Sequence, residues 1–316
     1  MYKRQDIDPS IAALLEKYPV ITNTHASAET LDDMRAGSIP APPLSNAVER
    51  VDHVVRDDPR LTVRVHQQKG ATQTNRPCVY SIHGGGYVAG SADMDDGLFD
   101  SLCQNTGCVG ISVEYRLAPE SPYPAPIDDC YAGLAWVFAN AKSLGIDPTR
   151  IGIHGVSGGG GLAAALALMV RDRGEYKVAY QLLDCPMLDD RQITASSQAE
   201  GLIGWTKESN AFGWRSYLGD LYGQDDVPYL AAPARAEDLS GLPPAYICVG
   251  GADGFRDEDI AYALRLGKCG VPCELHVYPG APHGAMLFVE TDLGARYVRD
   301  KNHWLTQKIE TARAEN

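Results

Sequence analysis

The chain has 316 residues, a mass of 34.1 kDa, a net charge of −13 and a sequence pI near 5.0. That length buries a full core, as one large α/β domain or two smaller ones. The acidic balance offers no basic patch for nucleic acid, and no apolar run reaches the roughly 18 residues of a membrane helix.

Residues 1–50 hold a short helical pattern, Ile11 to Lys17, and then a proline-rich stretch from Ile39 to Leu44. Met1 to Asp6 leads into a mixed polar stretch, so no secretory leader is expected. Apolar runs predict strands over 61–67, 77–82, 108–114, 151–155, 179–184, 244–249 and 274–278. Helical patterns fall between them near 94–104, 127–143, 159–173 and 257–269, with a last one near 291–313. The alternation predicts a mostly parallel sheet with helices on both faces. Residues 187–240 break the rhythm with an aromatic-rich, helical stretch from Gly204 to Tyr222. A long excursion between two sheet strands tends to carry function, and a lid over a site is its natural place. The eight cysteines form no C-x-x-C pair and read as reduced core thiols, so a cytoplasmic location is expected.

Chemistry enters at Gly155-Val156-Ser157-Gly158-Gly159, which follows the run Ile151 to His154 and precedes a helical pattern. A serine on a sharp strand-to-helix turn is held away from its own backbone, above a helix N-terminus. Upstream, His83-Gly84-Gly85-Gly86-Tyr87 follows another apolar strand. Its bare backbone N–H groups are suited to an oxyanion, together with the N–H of Gly158. The serine also needs a base, and the base needs an acid. Of the three histidines after Ser157, His276 lies in an alternating strand pattern and His303 in the C-terminal helical pattern. His283, in a loop just past a strand, is the one placed to reach the serine. Asp253 follows the strand 244–249 and fits the acid. Asp257, Glu258 and Asp259 read as charge at the start of the next helix.

These motifs, in this order over about residues 75 to 290, resemble the hormone-sensitive-lipase family of α/β-hydrolases, the family IV bacterial esterases. His83 to Gly86 resembles the family's HGGG, Tyr115-Arg116-Leu117-Ala118-Pro119-Glu120 its YRLAPE turn, Asp253 to Glu258 its D-P-L-x-D segment, and His283-Gly284 its H-G-F. The resemblance implies an α/β-hydrolase fold with a helical cap. Residues 1–50 would form the first part of the cap and 187–240 the second, on a core of 51–316. It implies Ser157 as nucleophile, Asp253 as acid, His283 as base, and an oxyanion hole from Gly84, Gly85, Gly86 and Gly158. Tyr87, Val156, Trp205 and Ala285 are expected at the substrate pocket. The implied activity is hydrolysis of short- to medium-chain or bulky carboxylic esters, with no metal and no cofactor. The expected partner is a small-molecule ester, and a homodimer is left open.

The chain departs from the family pattern at three places. Val156 and Gly158 stand where the box usually carries Asp and Ala, and Gly254-Phe255 where the acid is usually followed by Pro-Leu. Ala285 replaces a phenylalanine, which predicts a wider site beside the histidine. Other readings weigh less. Gly158-x-Gly160-x-x-Ala163 matches a dinucleotide fingerprint but leaves His83 to Gly86, Asp253 and His283 unexplained. A binding-only member of the family would not need all three triad positions filled. Amide or formamide cleavage uses the same triad and stays as the alternative.

Overall fold

The computed structural model describes residues 7–17, 25–36 and 43–311. Met1 to Asp6, most of the proline-rich stretch and the last two residues of the expected C-terminal helix lie outside them. The described strands are β1 (Val48–Arg56), β2 (Leu61–Gln68), β3 (Arg76–Ile82), β4 (Val109–Glu114), β5 (Ile146–Val156), β6 (Gln181–Asp184), β7 (Ala245–Gly250) and β8 (Cys273–Tyr278). They form one sheet in the order β1-β2-β4-β3-β5-β6-β7-β8. β1, β2 and β4 pair antiparallel, and every later pairing is parallel. β3, β6 and β7 are buried at every residue, as strands covered on both faces must be.

The described helices are α1 (Pro9–Lys17), α2 (Leu31–Ala36), α3 (Asp96–Thr106), α4 (Ala125–Asn140), α5 (Gly158–Arg173), α6 (Lys207–Leu218), α7 (Arg256–Lys268) and α8 (Asp292–Thr311). Two apolar layers sandwich the sheet. One joins α4, α5 and α7 to Tyr80, Ile82, Ile111 and Ile153. The other joins α1, α3 and α8 to Val79, Leu182, Tyr246 and Cys248. Adjacent residues of one strand fall in opposite layers, as the period of two requires. α5 is lined with Gly and Ala and is buried along Gly158 to Val170, which lets it lie close on the sheet beneath the covering segments.

β1 is absent from the strands expected from sequence. It is an edge strand with charged residues between its valines, and it buries only Val48 fully. It starts inside the range 1–50, so that range is not all cover. Glu258 and Asp259 stand in the first turn of α7, as expected of helix-start charge, but both are buried. Glu258 accepts the N–H groups of Leu188 and Asp189 at 2.8 and 3.1 Å. Burial pushes both carboxyls well above their usual range.

Candidate active site

β5 ends at Val156, and Ser157 turns the chain into α5 with φ 57° and ψ −120°. A non-glycine residue there is strained, and the surroundings must hold it. The Ser157 N–H donates to the Asp184 carbonyl at 2.8 Å, and its own carbonyl accepts from Met187 at 2.9 Å and Gly161 at 3.0 Å. Asp184 is itself fixed: its carboxylate takes Lys301 Nζ at 2.6 Å and the Tyr297 hydroxyl at 2.5 Å. Close packing around the turn leaves no room for side chains. A Cβ on Gly159 would sit 2.2 Å from the Ile82 carbonyl oxygen.

The loops after β7 and β8 are laced together. Gly251 N–H donates to Tyr278 O at 2.7 Å, and Ala252 N–H to Ala281 O at 2.9 Å. This lacing sets Asp253 against His283. His283 Nδ1 lies 2.8 Å from Asp253 Oδ2, and His283 Nε2 lies 2.9 Å from Ser157 Oγ. The Phe255 N–H fixes the other carboxylate oxygen at 3.0 Å. The Phe255 ring meets the imidazole edge-on at 5.1 Å between centroids. With the proton on Nδ1, held by Asp253, Nε2 is left to accept from the serine hydroxyl. His276 pairs with Glu274 on β8, and His303 pairs with Gln307 on α8.

The glycine loop closes the other side. A Cβ on Gly158 would lie 3.0 Å from the Gly86 nitrogen, so these two amides stand side by side next to the serine. The N–H groups of Gly85, Gly86 and Gly158 have no acceptor among the described residues, which leaves them available to a developing negative charge. Gly84 has a different place: its carbonyl accepts from the His83 ring at 2.9 Å, and it backs onto Val156. Burial pushes the His83 imidazole down to about 4, so it is neutral. It stacks on Tyr115 at 4.2 Å, whose hydroxyl donates to the His83 carbonyl at 3.0 Å. The rest of the Tyr115 to Glu120 turn is held by ions. Arg116 clamps the buried Asp129 at 2.7 and 2.9 Å, and Glu120 takes Arg35 of α2.

Of the four residues expected at the pocket, Trp205 lies over the glycine loop. A Cβ on Gly86 would fall 2.2 Å from its ring, and its indole N–H donates to Asn210 at 3.2 Å. Val156 is half-buried at the end of β5. Tyr87 sits deeper, stacked on Tyr217 at 4.2 Å with its hydroxyl on the Met187 carbonyl at 2.9 Å. Ala285 corrects an expectation. It is 1% exposed and belongs to the apolar layer of Ile11, Phe288 and Tyr297. It packs in that layer with Leu293 and Tyr297 of α8, so its side chain lines the core and not open space beside the histidine. Within the expected 187–240 cover, sequence reasoning did not single out Leu202 to Gly204. Leu202 rests on Gly254, and Gly204 backs onto the His283 carbonyl. With Trp205 they form a strap across the acid, base and glycine loops. Its only signal in the sequence is Gly204, which takes φ +83°.

A family model described as alpha/beta hydrolase fold matches residues 79–287. Among curated proteins, the chain is 35% identical to Esterase LipI of Mycobacterium tuberculosis, over 88% of this chain and 87% of that one. It is 36% identical to Carboxylesterase NlhH of the same organism, over 90% of each. Among solved structures, a bacterial heroin esterase superposes with a TM-score of 0.86 at 35% identity, covering 96% of this chain and 98% of that one. Fold, motif order and these likenesses agree, and the chain belongs to the hormone-sensitive-lipase family of α/β-hydrolases.

Proposed function

We infer that Ser157, His283 and Asp253 carry the reaction in this chain, a carboxylic ester hydrolase, through an acyl-enzyme. His283 Nε2 takes the hydroxyl proton as Ser157 Oγ attacks the ester carbonyl. Asp253 holds the imidazole tautomer and stabilises the imidazolium. The N–H groups of Gly85, Gly86 and Gly158 receive the oxyanion. The alcohol leaves with the proton from His283, and water repeats the sequence to release the acid. The observation that carries this reading is the unbroken chain from Asp253 to His283 to Ser157 at 2.8 and 2.9 Å, beside free backbone donors.

The substrates proposed are short- to medium-chain esters. Trp205 and the strap lie against the glycine loop, Gly254 and His283, and the covering segments are proposed to act as the cap. Ala26 N–H on Ser209 at 3.0 Å ties the N-terminal cover to α6. No helix among the described residues is long and apolar enough to cross a membrane. Eight free cysteines support a reducing compartment, and the cytoplasm is the one proposed. A homodimer through the open β8 edge, where Val277 is exposed, is the proposed assembly.

The test is hydrolysis of p-nitrophenyl esters from acetate to palmitate, with a serine-directed phosphonate. We expect turnover on the short esters, a single phosphonyl adduct on Ser157, and loss of about a millionfold in turnover for a folded Ser157→Ala. An adduct elsewhere, or a tenth of the rate left in Ser157→Ala, overturns the assignment.

A further inference from the structure

Behind the Asp253–His283 pair lies a group that ester hydrolysis does not use. β6 ends at Asp184, and the next residue, Cys185, turns the chain at φ 40°. Its thiol is buried, and it is free. The Cys185 sulfur, an Asp253 carboxylate oxygen and a His283 ring nitrogen all lie within 4.8 Å of one another. Thiolate, carboxylate and imidazole together make the donor set of a borderline-soft divalent cation. With bonds of about 2.0–2.3 Å, ligand atoms around tetrahedral Zn²⁺ stand roughly 3.5 Å apart. The cluster therefore has to close by about an ångström to hold an ion. The carboxylate is already oriented by the Phe255 N–H at 3.0 Å, as ligating carboxylates usually are.

We propose that Cys185, Asp253 and His283 form an inhibitory binding site for Zn²⁺ and similar thiophilic divalent cations. The inhibition, though not the binding, rests on the serine-hydrolase reading above. The ion reaches the site past His283, which keeps 11% of its side chain exposed. It replaces the proton that Asp253 and His283 Nδ1 share. The Cys185 thiol loses its proton to water and binds as thiolate. Nδ1 gives its lone pair to the metal, and the ring proton is re-formed on Nε2 through solvent. One proton is released per ion and no electron moves. An imidazole protonated on Nε2 cannot accept the Ser157 proton, so the serine loses its base while every side chain of the triad stays in place.

The intact enzyme tests this with two ions. Co²⁺ reports the ligand directly: one equivalent should give a thiolate-to-cobalt charge-transfer band, which Cys185→Ala lacks. Zn²⁺ should inhibit p-nitrophenyl acetate hydrolysis, and a chelator should reverse it. Cys185→Ala should retain turnover and need about 100-fold more Zn²⁺ for the same inhibition. Cys185→Ser, closer in size, should match Cys185→Ala if the thiolate is the ligand. A Cys269→Ser/Cys273→Ser variant, which removes the two half-buried thiols, should keep both band and inhibition. Equal inhibition with and without Cys185, or no thiolate band in the wild type, overturns the proposal. The band is read without substrate, so a chain that binds Co²⁺ through Cys185 but cleaves no ester would count against the function and not against the site.

Discussion

Around Ser157 the chain packs backbone against backbone, whereas the segments above it pack side chain against side chain. On the floor, a Cβ on Gly155 would meet the Gly159 carbonyl at 2.1 Å, and one on Gly250 the Ala281 carbonyl at 2.2 Å. Such contacts have one solution, because carbonyl oxygens cannot change rotamer. In the cover, Tyr87, Trp214 and Tyr217 meet as tilted or stacked rings at 4.2 to 6.2 Å. Arg35 holds α2 down through hydrogen bonds at its tip. Ring and guanidinium contacts can shift without breaking the chain. The floor should therefore fail in an all-or-none way, and the cover by degrees.

The sharpest break is expected at the acid. Asp253→Asn should lower kcat about ten-thousandfold, because an amide no longer holds the Nδ1–H tautomer. Asp257→Asn should do far less. Asp257 accepts the Ser196 N–H at 2.8 Å and lies beside Arg256, on the cover side of the loop. Its loss should cost about 1 kcal/mol of stability. Steady-state kinetics on both folded variants decide, and equal losses of kcat would erase the distinction between floor and cover at this loop.

Gly86 is where the two regions touch. Gly86→Ala puts a methyl into the Trp205 ring at a φ of +59°. Either the ring swings or the loop moves and turns its N–H away from the oxyanion. Loss of one such donor costs about 10²–10³ in kcat. Adding Trp205→Ala should recover part of that loss, leaving the left-handed strain of alanine, about 1–2 kcal/mol. No recovery would mean that the glycine is needed for its backbone alone.

The same division governs what was legible in the sequence. Glycines jammed against carbonyls are forced, so Gly155 to Gly159 and His83 to Gly86 announce the floor. The acid and base follow from strand ends, and the structure brings Asp253, His283 and Ser157 together. β1 was not legible because an edge strand buries too little to carry an apolar pattern. Ala285 misled because a small residue signals space only if nothing else packs over it, and the layer that includes α8 does. The excursion 187–240 was legible as a cover, but the contacts of its strap with Gly254 and His283, and the place of Cys185, come from tertiary folding that no local pattern encodes.

Acid offers a softer way to separate the regions. His83 supports the glycine loop, and burial lowers it from 6.5 to about 4. His154, buried on β5 against Ser81, is lowered to about 3. Between pH 6.5 and about 4 the unfolded chain binds protons that the folded chain refuses. Their stabilisation is thus complete above 6.5 and is lost as pH falls, by about 1.4 kcal/mol per pH unit for each. Asp95, raised by burial to about 6, opposes this between that value and 3.8, and so do the buried Glu258 and Asp259, raised well above their usual range. The His83 share is read as a difference: urea midpoints of the wild type should fall more steeply, or rise less, toward acid than those of His83→Asn, by up to about 1.4 kcal/mol of stability per pH unit. An unchanged slope would show that His83 titrates alike in both states.

The smallest effect is expected at the cover's anchor. Arg35 Nε donates to the Val88 carbonyl at 2.8 Å and Nη2 to Ala118 at 3.0 Å, while the guanidinium forks onto Glu120. Glu120 is largely exposed, so the ion pair alone is worth well under about 1 kcal/mol. The two carbonyl bonds matter more, because they join α2 to the turn that follows the glycine loop. Arg35→Ala should loosen the cover by roughly 1 kcal/mol, about fivefold. That change should appear as a higher KM with kcat nearly kept, since the floor does not depend on it. Glu120→Gln should fall within twofold of wild type. The ester panel measures both, and limited proteolysis should find the N-terminal segment more open in Arg35→Ala only. A fall in kcat as large as that of Gly86→Ala would show that cover and floor move as one body, because loosening a side-chain anchor would then have displaced the backbone donors themselves.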